Sequence, residues 1–198
     1  MKKITLLLFS FLVSLGLNAS VESGAAAPDF TLTDTAGAEH SLSDFKGKYV
    51  VLEWTNHGCP FVVKHYREGH MQALQEKMTK KDVVWLIINS GAPGKQGHVT
   101  PEQGQQQIEE KGIKATAMLL DTDGKVGRAF DARVTPHMFL IDPEGTLIYQ
   151  GAIDSIRSAR TSDVEKAENY VLSAYQAHLK GEPIENPVTT PYGCSVKY

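Results

Sequence analysis

Two uninterrupted apolar runs stand out along the chain, and the segment between them has helical spacing. The runs are "YVVLEW" at 49–54 and "DVVWLIIN" at 82–89, and each predicts a strand buried on both faces. Residues 60–80 carry apolar side chains at roughly helical intervals, so they predict a helix with Gly69 as its weak point. This order predicts a strand–helix–strand unit within a central sheet.

Similar patterns continue this unit on both sides. Two of the predictions rest on local signals, because "DTAG" marks a hairpin turn and Thr100 with Gln103 forms a helix-capping box. The further predicted elements are a hairpin within 26–47, a helix from Thr100 to Gly112, a strand at 116–121, a short helical piece at "GKVGRAF", and a hairpin of strands 137–142 and 146–151 around "DPEG".

The end of the chain combines a helix with an irregular tail. Ser162 and Glu165 form a capping box that predicts a helix to about Lys180, which Gly181 then ends. Residues 181–198 contain three prolines and no periodicity, so they predict an extended tail. The complete order is βαβαβ followed by ββα, which predicts an α/β domain with a mostly buried, mixed central sheet flanked by helices.

The first 19 residues have the pattern of a secretory signal peptide. A short basic start is followed by the 14-residue apolar run "ITLLLFSFLVSLGL" and by a small-residue cleavage site after Ala19. The run is too short for a comfortable membrane span, although an uncleaved anchor is the alternative interpretation. The pattern predicts export to the periplasm or the cell exterior, and it leaves a domain at 20–180 followed by the tail.

Charge and cysteine content narrow the classes of function. Without Lys2 and Lys3, 18 basic side chains oppose 23 acidic ones, which gives a net charge of about −5. No basic cluster survives, so nucleic acid and anionic membrane surfaces are poor candidate partners. The mature chain holds two cysteines, Cys59 and Cys194, in a compartment where disulfides persist. These two residues allow a single intramolecular pairing.

Cys59 lies at the junction of a buried strand and the first helix, in "EWTNHGCPFVVKHY". Pro60 follows it, as proline often follows an N-cap residue. Unpaired backbone N–H groups at a helix start favour a thiolate, so the pKa of Cys59 should fall. His57 and Lys64 could add positive charge. The alternative is a buried and inert cysteine.

The histidines and the glycine-rich loop do not form a recognisable cofactor site. His65 and His70 are five residues apart, which splays them around a helix, and His57 with Cys59 supplies only two ligands. The loop "SGAPGKQGHV" lacks the ending of a phosphate-binding loop, so we interpret it as a surface loop near the active site. The sequence therefore predicts no metal and no cofactor.

Several motifs together resemble a known family. The order of strand, cysteine turn and helix, followed by "VTPHMFLID", resembles the thioredoxin superfamily. More narrowly, "APDFTLTDTAGAEHSLSDFKGK", "EWTNHGCPFVVKHY", "INSGAPGKQG" and "TTPYGCSVKY" resemble the redoxin, or alkyl hydroperoxide reductase/thiol-specific antioxidant, group in its exported peroxiredoxin-like branch. The resemblance implies a thioredoxin-like fold in which Thr135-Pro136 is a cis peptide that faces Cys59.

The cysteine turn departs from the pattern of thioredoxins and of typical peroxiredoxins. Thioredoxins have a second cysteine three residues before this one, where the present chain has Asn56. Peroxiredoxins read P-x-x-x-T-x-x-C, which places Leu52 at the proline position and Asn56 at the threonine position. Thr55 could serve as that threonine only if Gly58 is an insertion.

The arginine of the peroxiredoxin pattern is also displaced. It normally precedes the "FLID"-like strand, about where Pro136 stands, and Arg133 or Arg128 is the nearest candidate. In that group the threonine and the arginine bind the peroxide and stabilise the charge that develops during attack. These departures favour disulfide chemistry, whereas the branch resemblance favours a peroxide.

The resemblance implies an exported thiol oxidoreductase with Cys59 as the nucleophilic thiolate and Cys194 as the resolving thiol. Thr55 and Pro136 would complete the catalytic set. Supporting roles are expected for Trp54, Asn56, His57, Thr135 and Arg133. The substrate would be a peroxide or a protein disulfide, and an external thiol would regenerate the enzyme; the oligomeric state stays open.

The tail has the length to bring Cys194 to Cys59. Residues 181–193 span up to about 40 Å when extended, which suffices to cross a small domain. Tyr192 and Tyr198 could dock the tail beside Trp54 and Phe61. A free tail thiol and an intermolecular bridge are the alternatives, and a third functional interpretation is a non-catalytic binding protein in which a Cys59–Cys194 bond only staples the tail.

Overall fold

A computed structural model describes residues 21–198 of the chain. The predicted signal peptide lies outside these residues. The strands are β1 (Thr31–Asp34), β2 (Glu39–Ser41), β3 (Val50–Trp54), β4 (Val84–Asn89), β5 (Ala117–Leu120), β6 (Val134–Thr135), β7 (His137–Ile141), β8 (Leu147–Gly151) and β9 (Cys194–Ser195). The α-helices are α1 (Pro60–Tyr66), α2 (His70–Thr79), α3 (Pro101–Lys111), α4 (Lys125–Ala129) and α5 (Tyr170–Leu179).

Seven of the strands in the described part form one mixed sheet in the order β2-β1-β5-β4-β3-β7-β8. Strands β3, β4 and β5 are parallel, and antiparallel strands continue the sheet on both sides. Both predicted hairpins are present, as β1–β2 and β7–β8. The predicted α/β architecture with its mixed central sheet is therefore confirmed.

The central strands are buried on both faces because helices or connecting segments cover each side. Val50 and Leu52 belong to one apolar cluster, whereas Val51 belongs to another on the opposite face. Side chains of α1, α2 and α5 join the second of these clusters, and α4 joins the first. The uninterrupted apolar runs in the sequence follow from this two-sided burial.

Glu53 is a charged exception inside the apolar β3, and it ties the sheet to the helix that follows Cys59. It is 0% exposed and accepts hydrogen bonds from Tyr66 Oη at 2.7 Å, Trp85 Nε1 at 2.8 Å and Gln75 Nε2 at 3.1 Å. Burial raises the pKa of Glu53, against these three hydrogen bonds, which lower it. The carboxyl group thus connects β3 with α1, α2 and β4.

The predicted helix at 60–80 is two helices, which is a correction to the sequence analysis. Helix α1 ends at Tyr66, and α2 begins after Gly69, whose φ of +81° is left-handed. Glycine adopts this conformation without the steric cost that a side chain would bring. The side chain of Gln72 donates to Tyr66 O at 3.1 Å and so satisfies a carbonyl group at the break.

The last helix is also shorter than predicted. A 3-10 turn at Thr161–Asp163 stands where the capping box of Ser162 and Glu165 was expected, and α5 begins only after Asn169. The backbone before α5 is instead bound to a neighbouring segment, through the Asp154–Asn169 bridge and the bond from Ser155 N to Glu168 O at 3.0 Å. Because Glu168 and Asn169 use their backbone groups in these bonds, residues before Tyr170 do not continue α5 toward its N-terminus.

The tail after α5 lies along the domain and returns to the cysteine turn. Thr189 N donates to Gln150 O at 3.0 Å, which holds the tail against β8. Strand β9 then pairs with β6 in a separate two-stranded sheet. Lys197 O accepts a hydrogen bond from Ala92 N at 2.8 Å, so the last residues also contact the glycine-rich loop. Among residues 21–198, no helix has the length and apolar character needed to span a membrane.

We expect Glu53→Gln to destabilise the domain, because all three partners of the carboxyl group donate hydrogen bonds and the amide would turn an NH₂ group toward them. A mismatched buried hydrogen-bonding group costs about 1–3 kcal/mol. Urea denaturation measures the change, and the exposed Glu144→Gln is the matched control.

The cost of Glu53→Gln should depend on pH. Burial raises the pKa of Glu53, so the folded state binds the proton more tightly than the unfolded state does. Its contribution to the free energy of unfolding is therefore complete at acidic pH and is lost as the pH rises through the interval between the two pKa values. The variant should lose more stability at acidic than at neutral pH; an equal or opposite dependence would contradict the assignment.

Candidate active site around Cys59

Cys59 is the N-cap residue of α1, as the sequence predicted. Its backbone is extended, with φ −85° and ψ 124°, and Pro60 opens the helix. The carbonyl of Cys59 accepts hydrogen bonds from Val62 N at 3.0 Å and Val63 N at 2.9 Å, which close the first turn. The residue is 0% exposed, so its sulfur is enclosed by protein.

The groups around the sulfur come from the Thr135 strand and from the tail. Cys59 Sγ donates to Thr135 O at 3.1 Å and accepts a hydrogen bond from Cys194 N at 3.4 Å. Burial raises the pKa of Cys59, but the side chain and backbone N–H of Cys194, the backbone N–H of Val62 and the side chain of Thr135 stabilise the thiolate and outweigh burial, so the pKa is lowered. The site therefore favours a thiolate at Cys59.

The peptide between Thr135 and Pro136 is cis, and Thr135 O lies against Cys59 Sγ, so the predicted cis-proline beside Cys59 is confirmed. The β6–β9 pairing places Cys194 directly opposite Thr135. Gly193 has a φ of +144°, and a Cβ atom there would collide with Thr135 O. A glycine is needed before Cys194 because the two backbones approach so closely.

Cys194 has the opposite protonation preference. Burial, its hydrogen bond to Cys59 and the negative charge on Cys59 raise the pKa of Cys194 to about 11, and Lys197 lowers it only in part. Both cysteines are free thiols in this structure. The pair therefore consists of a thiolate-prone sulfur at Cys59 and an adjacent protonated thiol at Cys194.

Neither of the expected positive charges acts on Cys59. Burial and the charge of Lys111 lower the pKa of His57 to about 4, so His57 is neutral at pH 7, with its ring 4.7 Å from the ring of Tyr66. Lys64 forms an ion pair with Asp154 at 3.0 Å instead. Both expectations were wrong, because His57 is uncharged and the charge of Lys64 is paired with Asp154.

Two other supporting residues also lie away from the sulfur. Trp54 packs on Phe130 on the opposite face of the sheet, and its Nε1 donates to Ser90 Oγ at 3.0 Å. Arg133 is exposed and forms an ion pair with Asp131. Its backbone carbonyl accepts a hydrogen bond from Val196 N, so only its main chain contributes to the site.

Thr55 and Asn56 are buried in the turn that leads to Cys59. Thr55 Oγ1 is enclosed and has no hydrogen-bond partner within the described residues. Asn56 accepts from Gly58 N and donates to Gln96 Oε1, both at 2.9 Å. The second of these bonds places the glycine-rich loop against the cysteine turn, near the active site as predicted.

The position that corresponds to the second cysteine of a C-x-x-C motif is 62 and not 56, where the sequence analysis placed it. Asn56 precedes the helix and its side chain turns toward Gln96. Val62, three residues after Cys59, lies in the first turn of α1 and joins the same apolar cluster as Cys59. Residues three apart on a helix face each other, so position 62 is where a C-x-x-C partner would contact the sulfur.

Sequence reasoning missed a buried polar cluster beside the site. Lys64 of α1, Asp154 of the segment after β8 and Tyr192 of the tail meet within hydrogen-bond distance. A signal for it was present, because Lys64 interrupts an apolar helix face and Tyr192 lies two residues before Cys194. Tyr192 does pack on Phe61, at 5.7 Å between ring centroids, as predicted, whereas Tyr198 donates to Ala132 O instead.

The described residues contain no group of three or more His, Cys, Asp or Glu side chains that could hold a metal ion. The reactive groups that the structure does bring together at the site are the sulfur atoms of Cys59 and Cys194. A lowered pKa at Cys59 and an adjacent thiol are suited to nucleophilic attack followed by disulfide formation.

Comparison with known proteins identifies relatives of two kinds. The chain is 30% identical over 126 residues to thiol-disulfide oxidoreductase ResA of Geobacillus kaustophilus, covering 64% of this chain and 67% of that protein. It is 32% identical over 129 residues to ResA of Bacillus subtilis, covering 65% and 66%. It is also 28% identical over 145 residues to peroxiredoxin Bcp of Bacillus subtilis, covering 65% and 83%.

Solved structures and a family model agree with the fold. A crystal structure of an uncharacterized conserved protein from Geobacillus kaustophilus matches with a TM-score of 0.76 and 27% identity, over 89% of this chain and 92% of that one. The matched segments of the ResA proteins span about two thirds of their length. The AhpC/TSA family model matches residues 23–150. The chain therefore belongs to the AhpC/TSA family and is a thiol-based oxidoreductase with a thioredoxin-like fold.

Proposed function

We propose that the chain is a thiol–disulfide oxidoreductase in which Cys59 attacks and Cys194 resolves. One observation carries this proposal: Cys194 N lies 3.4 Å from Cys59 Sγ, and the β6–β9 pairing holds Cys194 opposite Thr135, whose carbonyl also contacts that sulfur. The only two cysteines of the chain, 135 positions apart in sequence, are thereby adjacent in space. A thiol held beside a thiolate is the arrangement that an intramolecular disulfide requires.

The first step is attack by the Cys59 thiolate on one sulfur of a substrate disulfide. A bond forms between Cys59 and that sulfur, and the other substrate sulfur leaves as a thiolate, which takes a proton from solvent. The lowered pKa of Cys59 supplies the thiolate. Thr135 O and Cys194 lie against the sulfur, so the tail has to move aside before the substrate can reach it.

The second step is attack by Cys194 on the Cys59 sulfur of the mixed disulfide. Two causes that raise the pKa of Cys194, the hydrogen bond to Cys59 and the charge on Cys59, are lost once Cys59 is oxidised, whereas the charge of Lys197 remains. Cys194 then loses its proton more easily, forms the Cys59–Cys194 bond and expels the second substrate thiolate. The protein is oxidised by two electrons, and an external thiol reductant returns it to the dithiol.

Two features favour a disulfide over a peroxide as the substrate. The ResA relatives at 30% and 32% identity are named thiol-disulfide oxidoreductases. In addition, Arg133 and Lys64 are engaged with Asp131 and Asp154, so neither supplies the positive charge that would stabilise a departing hydroxide. Polypeptide disulfides are the substrate class that we favour.

Peroxide reduction is the second candidate, and Thr55 is the observation that supports it. Its buried hydroxyl has no hydrogen-bond partner among residues 21–198 and lines the same small cavity as Asn56 and Thr135. In that reaction Cys59 would take one peroxide oxygen as a sulfenic acid while the other left as water, and Cys194 would then displace a second water. The Bcp relative is named a peroxiredoxin.

Export belongs to the same proposal. Residues 1–19 would direct secretion, the domain at 20–180 would carry Cys59, and the tail at 181–198 would carry Cys194. N-terminal sequencing of the protein from a secretory host tests the first part. An N-terminus at Ser20 in the exported fraction is expected, and retention of Met1 in the cytoplasm would contradict it.

Stopped-flow kinetics of the reduced protein, with a model peptide disulfide and separately with hydrogen peroxide, tests the function. We expect the disulfide to react at least tenfold faster at neutral pH, and Cys59→Ser to abolish both reactions. A faster reaction with peroxide would support the second candidate. If the reduced wild-type protein reacted with neither substrate, the non-catalytic binding protein would be the remaining interpretation. The expected release of substrate thiol would exclude that interpretation.

We expect the pKa of Cys59 to be higher in Cys194→Ala than in Cys194→Ser. Serine retains a hydroxyl that can donate to the thiolate, whereas alanine removes that donor and leaves only the backbone N–H of residue 194. A higher pKa means less thiolate at a given pH, so absorbance at 240 nm should rise at higher pH in the alanine variant. Identical titrations would show that the side chain of residue 194 does not stabilise the thiolate.

We expect Val62→Cys to create a competing disulfide with Cys59, because position 62 faces the sulfur from the first turn of α1. Asn56→Cys is the matched comparison, since its side chain is directed toward Gln96. Peptide mapping under non-reducing conditions, after mild oxidation, should recover a 59–62 link in the first variant and a 59–194 link in the second. A 56–59 link would show that the partner position precedes Cys59.

A further inference from the structure

The buried polar cluster beside the active site has an ion pair at its centre. Lys64 Nζ lies 3.0 Å from Asp154 Oδ2, and the two side chains are 0% and 3% exposed. Lys64 also donates to Ile156 O at 3.0 Å. His65 is close, with Nε2 at 3.6 Å from Asp154 Oδ2, but burial lowers its pKa to about 4, so it is neutral at pH 7. The charges of Lys64 and Asp154 therefore face each other inside the protein.

Tyr192 of the tail closes this cluster. Its hydroxyl accepts a hydrogen bond from Lys64 Nζ at 2.9 Å and donates one to Asp154 Oδ1. Its ring packs edge-on against Phe61 of α1, and the residue is 3% exposed. Hydrogen bonds to charged groups are stronger than those between neutral groups, so the hydroxyl has two strong partners here.

Tyr192 is also where the tail first becomes buried. Residues 181–191 are exposed or half-buried, and the tail lies over the surface until it reaches this point. One residue, Gly193, separates Tyr192 from Cys194, and its φ of +144° directs the chain past Thr135 O. A shift of the Tyr192 ring would therefore move Cys194 away from the Cys59 sulfur.

We propose that Tyr192 is a positioning residue that latches the tail through Lys64 and Asp154. The latched tail covers Cys59 and holds Cys194 in contact with it; release of Tyr192 uncovers the nucleophile. The role of Tyr192 in bringing Cys194 to the mixed disulfide rests on the proposed function, whereas its role in keeping the tail over Cys59 does not. Opening admits the substrate, and renewed latching returns Cys194 to the mixed disulfide.

The experiment measures how fast iodoacetamide alkylates Cys59 in the reduced full-length protein, in a Cys194→Ser background. Tyr192→Phe removes one oxygen atom and both hydrogen bonds but retains the ring. Tyr198→Phe is the matched control, because that hydroxyl also belongs to the tail and donates to Ala132 O at 2.6 Å outside the cluster. Thermal melting verifies that each variant is folded.

We expect alkylation of Cys59 to be about tenfold faster or more with Tyr192→Phe, the factor that the loss of hydrogen bonds to charged groups implies. Tyr198→Phe should stay within about twofold of its parent. The alkylation rate is measured across pH. A tail that blocks access changes the plateau of the rate at high pH, where Cys59 is fully ionised, whereas an electrostatic effect on the pKa changes only the midpoint. Equal plateaus for the two tyrosine variants, or a change in the midpoint alone, would overturn the proposal.

A second measurement uses the protein with both cysteines and a glutathione redox buffer. The equilibrium between the dithiol and the Cys59–Cys194 disulfide gives the effective concentration of one thiol at the other. Tyr192→Phe should lower this effective concentration by about the same factor by which it raises the alkylation rate. If the wild-type protein forms no Cys59–Cys194 bond, the proposed function fails. The alkylation rates still test whether Tyr192 holds the tail over Cys59. If the bond forms equally well in all variants, the role of Tyr192 in resolution is overturned.

Discussion

The enclosure of the Cys59 sulfur is the constraint on which the rest of the site depends. A thiol with no exposed surface would ordinarily be harder to ionise, because burial disfavours the charged form. Here Cys194 and other groups that enclose the sulfur stabilise the thiolate, and they lower the pKa of Cys59 overall. The same tail that stabilises the thiolate also blocks access to it. Reactivity and protection are therefore two consequences of one contact between Cys59 and Cys194.

The sequence was sufficient wherever a feature depends on neighbours in the chain. The central strands follow from uninterrupted apolar runs, and the capping box of Thr100 with Gln103 opens α3 as predicted. The place of Cys59 before Pro60 was sufficient to put it at the start of a helix. The cis bond before Pro136 is different, because only the family resemblance pointed to it. The strands, the capping box and the helix start needed no knowledge of how distant segments meet.

Features that depend on distant segments were missed or misplaced. Residues 162–169 have a capping signal, but the Asp154–Asn169 bridge takes their backbone out of the helix. The hydrogen bonds between segments outweigh the local preference of these residues for a helix. The same holds for Lys64, whose position in sequence suggested a charge near Cys59. Its actual partner, Asp154, is 90 residues away, and no local pattern indicates that pairing.

The two thiols differ in pKa because of their surroundings and not because of their intrinsic chemistry. Cys59 is stabilised as a thiolate by donors that include Cys194, and the charge on Cys59 in turn keeps Cys194 protonated. Each sulfur thus determines the state of the other. Once Cys59 forms a bond to substrate, it no longer carries that charge, and Cys194 is left with the nearby positive charge of Lys197. In the proposed cycle, consumption of the first nucleophile therefore activates the second, provided that the tail returns to the position in which it began.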